Sequence, residues 1–228
     1  MIKMPTINQL KQLVAHLQGV IFQDYYPSVD RPVDLCLPDA FWTEIPTIAR
    51  LLNTDVDAVL HNDPAVTDRG EVILSYPLTY AMIHYRAAHV LYQLHVPRLP
   101  RMLTELAHSR TGIDIHPAAT IGDHFCIDHG TGVVIGATAI IGSHVVLYQG
   151  VTLGAKNFEY DAEGSPIDMP RHPILEDHVT VYSNTSILGR VTIGHDTVIG
   201  GNIWLTQDVP ANSIVLQSTP EIRIKNKS

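Results

Sequence analysis

Cysteine is nearly absent from this 228-residue chain, which has two, Cys36 and Cys126. Two cysteines make no disulfide framework and lack the spacing of a zinc site, so both are read as reduced thiols of a cytoplasmic protein. Positive charge is also short, with 15 Lys and Arg against 23 Asp and Glu and a formal net charge of −8. No window gathers basic residues into the stripe that displaces counterions from a nucleic acid. Uninterrupted apolar runs stay far below the roughly 20 residues of a membrane span. Met1-Ile2-Lys3-Met4-Pro5 leads into a polar stretch rather than an apolar signal core, so export is not expected. What is plentiful is apolar side chain, 45% against 17% charged, which excludes a disordered chain and supplies a core for one or two domains.

From Met1 to about Arg110 the apolar residues recur at helical spacing, as in Leu10, Leu13, Leu17 and Ile21 after a capping Thr6. Further helices are predicted over 46–52, over 54–60 with Thr54 and Asp57 as a capping box, over 78–94 and over 98–108. Tyr80, Ile83, His89 and Leu91 are assigned to packing on these faces.

After Gly112 the period becomes six. Leu175, Val181, Ile187, Ile193, Ile199 and Leu205 are six apart without a break, and Val179, Thr185, Val191, Thr197 and Ile203 keep step. An earlier block runs Ile115, Ile121, Ile127, then shifts by two residues to Ile135, Ile141, Leu147 and Leu153. Neither a helix nor an alternating strand explains six. Each hexapeptide is read as one face of a triangular parallel β-helix, with its aliphatic residue pointing down the axis. A β-sandwich would instead alternate every two residues. Glycines 122, 136, 142, 154, 194 and 200 follow inward residues, where a corner needs unusual backbone angles or close approach. The chain is therefore α+β: a helical domain over 1–110 and a β-helix over 111–228, interrupted by a loop at 155–173. That loop has no inward periodicity and ends in Arg171-His172-Pro173, which places a functional site beside it.

Asp114 precedes His129 by fifteen residues, nearly one turn of an 18-residue coil, so the two are candidates for neighbours on adjacent coils. A carboxylate that accepts the Nδ1 proton of an imidazole leaves Nε2 as a base near neutral pH. The spacing suggests this dyad and leaves coincidence open.

The run Thr111-Gly112-Ile113-Asp114-Ile115-His116-Pro117, the segment Ile127-Asp128-His129-Gly130-Thr131-Gly132-Val133-Val134-Ile135-Gly136, the stretch Tyr148-Gln149-Gly150-Val151-Thr152-Leu153-Gly154 and Arg171-His172-Pro173 together closely resemble serine O-acetyltransferase, a hexapeptide-repeat acyltransferase. Asn62-Asp63-Pro64-Ala65, Tyr76-Pro77, Tyr85-Arg86 and His89 extend the resemblance over most of the chain. It implies a left-handed β-helix and transfer of acetyl from acetyl-CoA, as co-substrate, to the hydroxyl of L-serine, the committed step toward cysteine. In it His129 is the general base and Asp114 orients it. Asp63 and Asp128 hold the serine ammonium, while Arg171 and His172 meet its carboxylate. Backbone N–H groups at Gly154 or Ala155 face the oxyanion, and Ser183 and Gly201 line the pantetheine arm. No metal is expected. Taken singly, Asp63 and Asp128 also read as caps, Arg171 as a loop cation and His129 as an exposed corner. His116, His124, His144, His178 and His195 are read as surface or stacking residues, and Tyr148, Gln149 and Trp204 as packing or stacked rungs.

The chain departs from better-known bacterial members. Ala137 follows Gly136 where they carry a glutamate. The resemblance implies a homotrimer or a dimer of trimers (a homohexamer), and the short helical part argues against the hexamer. Arg223-Ile224-Lys225-Asn226-Lys227-Ser228 lacks the long tail and terminal isoleucine that enter cysteine synthase, which argues against that complex. Alternatives are acetyl transfer to another small hydroxyl or amine, a zinc hydratase like the γ-type carbonic anhydrases, given thirteen histidines, and a noncatalytic scaffold.

Overall fold

A computed structural model describes residues 6–32, 35, 37–157, 160–165, 167 and 169–218. Cys36 and the tail on which the cysteine synthase expectation rests lie outside the described residues. Six helices come first: α1 (Ile7–Ile21), α2 (Asp39–Thr43), α3 (Ile45–Asn62), α4 (Arg69–Ser75), α5 (Pro77–Gln93) and α6 (Leu99–Thr111). Thr6 caps α1 as expected, in a reciprocal box with Gln9, and Leu10, Leu13 and Leu17 are buried below it. The two helices expected over 46–52 and 54–60 are one, α3. Thr54 caps nothing there; its hydroxyl donates to the Leu51 carbonyl at 2.7 Å, the bond a threonine makes inside a helix. Five and seven residues are too few for a periodic signal, so α2 and α4 escaped the pattern. Helix α5 buries nearly all its faces, including His84, Tyr85 and Arg86.

The strands that follow are β1 (Asp114–Ile115), β2 (Thr120–Ile121), β3 (Cys126–Asp128), β4 (Val134–Ile135), β5 (Ile140–Ile141), β6 (Val146–Tyr148), β7 (Thr152–Gly154), β8 (Ile174–Leu175), β9 (Thr180–Val181), β10 (Ser186–Leu188), β11 (Thr192–Ile193), β12 (Val198–Ile199), β13 (Trp204–Leu205) and β14 (Ile214–Val215). They wind into a left-handed parallel β-helix with three faces. Sheet A stacks β1, β4, β7, β10 and β13; sheet B stacks β2, β5, β8 and β11; sheet C stacks β3, β6, β9, β12 and β14. The residues of the six-residue series fill the axis, with Ile127, Ile135, Leu147, Leu153, Val181 and Ile199 all buried. Buried threonines in the second series stay satisfied, since the Thr185 hydroxyl donates to the Gly200 carbonyl at 2.7 Å.

Two different devices make the corners. Glycines after inward residues serve close approach: a Cβ on Gly122 would lie 2.7 Å from the Gly142 carbonyl carbon. Left-handed backbone is carried by another column, in which His124, His144, His178, Asp196 and Asn212 all have positive φ at the B–C corner.

The two-residue shift in the repeat has a structural meaning. Asp114 pairs with Val134, twenty residues on, whereas Val134 pairs with Thr152, eighteen on. The extra pair lies at the C–A corner just after β3, where His129 (φ 56°) and Gly130 (φ 89°) are both left-handed. A Cβ on Gly130 would strike Ile113 Cδ1 at 2.6 Å, so only glycine fits, and the His129 side chain is thrown outward, 73% exposed.

Helix α5 closes the top of the solenoid. The first coil has no coil above it, and its carbonyls would lack partners. The Tyr85 hydroxyl donates to Ala119 at 2.6 Å, and Arg86 donates to Ile121 and Gly122, each at 2.7 Å. Arg86 also pairs with Asp55 of α3 at 2.9 Å, and Asp55 accepts from the Phe125 N–H at 3.1 Å. Both ions of this pair are buried and fully hydrogen-bonded, which is what a buried charge requires.

Candidate active site

Four side chains converge at the C–A corner. Asp63 follows α3, and its Oδ1 accepts the Ala65 N–H at 2.8 Å. Its Oδ2 accepts the hydroxyl of Tyr76, the residue between α4 and α5, at 2.6 Å. These bonds, that from Tyr76 first, hold the Asp63 carboxyl below the usual carboxylate range. The same bond pushes the Tyr76 phenol up to about 12, so it stays a donor. Asp128 ends β3, and its carboxylate lies 4.0 Å from Nε2 of the exposed His129. Asp63 in turn feels the charge of His129.

A second group forms at the A–B corner, where the loop returns to β8. His172 is buried, its ring lying over Gly136, where a Cβ would come within 1.9 Å of Cδ2. Its Nδ1 accepts the Thr138 N–H at 3.1 Å, which leaves Nε2 as the protonated nitrogen of a neutral ring. Desolvation first, then the positive charge of Arg171 with lesser effects of His116 and Arg190, lowers its pKa to about 4. The Thr138 hydroxyl accepts the Arg171 and His172 N–H groups at 2.9 and 3.1 Å. Arg190 ties the turn down by donating to the carbonyls of Thr138 at 2.7 Å and His172 at 3.0 Å. A neutral N–H donor beside an arginine suits a carboxylate ligand.

Asp114 starts β1 on sheet A, between the two corners, and accepts from Arg101 at 3.3 Å. Among the described residues no hydrogen bond joins it to His129 within one chain. The physical reason is the inserted pair: in a coil of twenty residues a fifteen-residue step falls short of a full turn. The Ala155 N–H, directly after β7, makes no hydrogen bond among the described residues. Ser183 and Gly201 stand on successive rungs at the C–A corner, where a Cβ on Gly201 would sit 3.1 Å from the Ser183 carbonyl oxygen.

Sequence reasoning missed Thr138 and Arg190, because the repeat gives no signal for residues that act through a turn of the neighbouring coil, and it missed Arg101, which reaches Asp114 from α6. It read Tyr148 correctly as a stacked rung, with its ring 4.8 Å from that of Tyr182. Trp204 corrects the reading, being 73% exposed on the outer face of sheet A rather than packed. His124, His144 and His178 do stack.

No family model matches the chain. It is 50% identical over 191 residues to the plasmid serine acetyltransferase of Synechococcus elongatus, across 83% of this chain and 59% of that protein. With the serine acetyltransferase of Bacillus subtilis it shares 39% identity over 177 residues, 78% of each chain. The chain thus spans about three fifths of the Synechococcus relative and more of the Bacillus one. Among solved structures, serine acetyltransferase isoform 3 of Entamoeba histolytica, in complex with cysteine, matches with a TM-score of 0.80 at 31% identity, over 99% of this chain and 86% of that one. The Neisseria gonorrhoeae serine acetyltransferase in complex with serine matches with a TM-score of 0.71 at 26% identity, over 94% and 83%. A serine acetyltransferase in complex with CoA matches at 0.70 and 27%, over 90% and 81%.

Proposed function

Because this chain belongs to the serine acetyltransferase family, we propose that it transfers the acetyl group of acetyl-CoA to the hydroxyl of L-serine, giving O-acetyl-L-serine for cysteine biosynthesis. The observation that carries the proposal is the convergence of Asp63, Asp128 and His129 at one corner of the solenoid. Two carboxylates beside an exposed imidazole are what an amino acid with a primary alcohol needs. The anions take the ammonium, and the base takes the hydroxyl proton.

A primary alcohol attacks a thioester poorly until a positioned base removes its proton in the transition state, an effect of roughly 10²- to 10⁴-fold. In the proposed step the serine oxygen attacks the acetyl carbonyl directly, with no covalent enzyme intermediate. His129 accepts the proton, the C–S bond breaks, and the proton passes to the departing thiolate of CoA. The oxyanion meets the N–H of Ala155 or Gly154, and the pantetheine arm runs past Ser183 and Gly201.

The groups at the A–B corner complete the site from a second copy. Arg171 and His172 of one protomer meet the substrate carboxylate held at the C–A corner of the next, and Asp114 orients the base. The proposed assembly is therefore a homotrimer working in the cytoplasm, a setting that suits the buried free thiol of Cys126.

The test is thiol release from acetyl-CoA by purified protein, with L-serine, L-homoserine, a sugar acceptor or no acceptor. Release that depends on L-serine supports the proposal. Release with another acceptor alone, or with none, overturns it.

A further inference from the structure

A second cluster of ionisable groups occupies the B–C corner, away from the groups just described. On three successive coils the corner residue is a left-handed histidine: His124 (φ 52°), His144 (φ 58°) and His178 (φ 59°). Asp196 and Asn212 take the same position on the next coils at φ 55° and 59°. Any short polar residue that tolerates this backbone would therefore turn the corner, and the fold does not ask for imidazole.

The rings stack at 4.2 and 4.7 Å between centroids. Together with Asp57 and His61 of α3 they line a pocket of about 500 Å³ between helix and solenoid. Nδ1 of His124 is buried and has no hydrogen-bond partner, yet it lies 3.3 Å from Oδ1 of Asp123. A nitrogen and a carboxylate oxygen at that separation match one edge of a tetrahedron whose ligands lie about 2.0–2.1 Å from its centre. One ligand atom from each of Asp123, His124 and His144 lies within 4.8 Å of the others. Ligand atoms at that limit sit about 2.8 Å from a common centre, and because the two rings are stacked nearly parallel, closing the sphere requires an imidazole to turn so that its in-plane lone pair faces that centre.

We propose that Asp123, His124 and His144 form a binding site for a divalent transition-metal ion of the zinc class, with the fourth position open to the pocket that His61 lines. Two imidazoles and one carboxylate select such an ion over magnesium or calcium, which prefer oxygen. Arg50, 3.8 Å from Asp123, is the cation the ion would compete with. The ion would join the first two coils beside the end of α3, two residues before Asp63, as a structural element outside the acetyl-transfer chemistry.

The experiment uses the full chain, stripped with a chelator and titrated with Co²⁺, read by the visible absorption of a tetrahedral cobalt site and by its displacement with Zn²⁺. One Co²⁺ per chain is expected. His124→Asn and His144→Asn keep the left-handed corner, as Asn212 does, and each should weaken binding by roughly 100-fold. A second three-residue cluster, Glu105, His108 and Asp114, provides the control. No saturable binding by the native chain overturns the proposal. So does binding that survives both corner variants and is lost in His108→Asn.

Discussion

Tyr76 Oη donates to Asp63 Oδ2 at 2.6 Å while the Ala65 N–H holds Oδ1 at 2.8 Å, so both oxygens of one carboxylate are fixed before any substrate arrives. The helical half thereby sets the direction of a charge that serves the solenoid half. Tyr76→Phe removes one of the two bonds and leaves the ring. Because Asp63 is open to solvent, the loss should be modest: the KM for L-serine rises roughly 5- to 20-fold with little change in kcat. Steady-state kinetics with serine varied at saturating acetyl-CoA reads this directly, and an unchanged KM would show that Tyr76 does not position the carboxylate.

His129 stands outside the core on a left-handed corner, so its chemistry separates cleanly from its folding role. Asparagine accepts that backbone, as Asn184 and Asn202 do elsewhere on the solenoid. His129→Asn should lower kcat by roughly 10²- to 10⁴-fold and leave the melting temperature unchanged. Near-normal turnover in this variant would end its assignment as the general base.

Two corners of one triangle carry complementary halves of a zwitterion site, and a mixing experiment tests whether separate copies combine them. His129→Asn and Arg171→Ala damage opposite corners. Each alone should be nearly inactive. Unfolded together and refolded, they should regain a fraction of native activity in mixed trimers, since some interfaces then unite two intact corners. Light scattering should report a trimer throughout. An active monomer, or mixtures no better than either parent, would place the whole site within one chain.

The solenoid was legible because burial repeats with the coil. Ile127, Leu147 and Val181 point inward for the same reason each time, and six-residue periodicity survives any outer-face sequence. Even the break in the repeat was visible, though its meaning was not: only paired strands reveal that the extra residues are His129 and Gly130, thrust out at a corner. Thr138 and Arg190 were invisible because they act through hydrogen bonds between segments separated by the loop. The Asp114 to His129 spacing was read with coil length taken as constant, whereas the first coil holds twenty residues. In the helical half, a threonine at position 54 followed by an acid looked like a cap, and only packing decided that α3 continues.

Gly136 is required by the ring above it rather than by its own backbone. Gly136→Ala puts a methyl 1.9 Å from His172 Cδ2, and that ring is anchored by Thr138. Overpacking of this kind costs about 1–3 kcal/mol. The melting temperature should fall and serine affinity should weaken. In Gly136→Ala with His172→Ala the space reopens, so the double variant should be more stable than the sum of the single effects predicts. Strict additivity in thermal denaturation would show that the ring does not rest on Gly136.

The buried neutral imidazole of His172 also fixes a pH window for stability. Its pKa falls from 6.5 to about 4, first because burial disfavours the charged ring and then because Arg171, His116 and Arg190 repel the proton. As pH drops below 6.5 the unfolded chain binds a proton at this position and the folded chain does not, so the native state loses stability progressively until about pH 4. His84, buried in α5, shifts to the same value chiefly through desolvation and acts in the same window. His172→Asn keeps an acceptor for the Thr138 N–H and removes one titration. The melting temperature of this variant should decline less steeply between pH 6.5 and 4 than that of the native chain, while His84 keeps the remaining slope above zero. Identical slopes in the two proteins would mean that His172 already carries its proton in the folded state, and its assignment as a neutral donor to a carboxylate would fall with it.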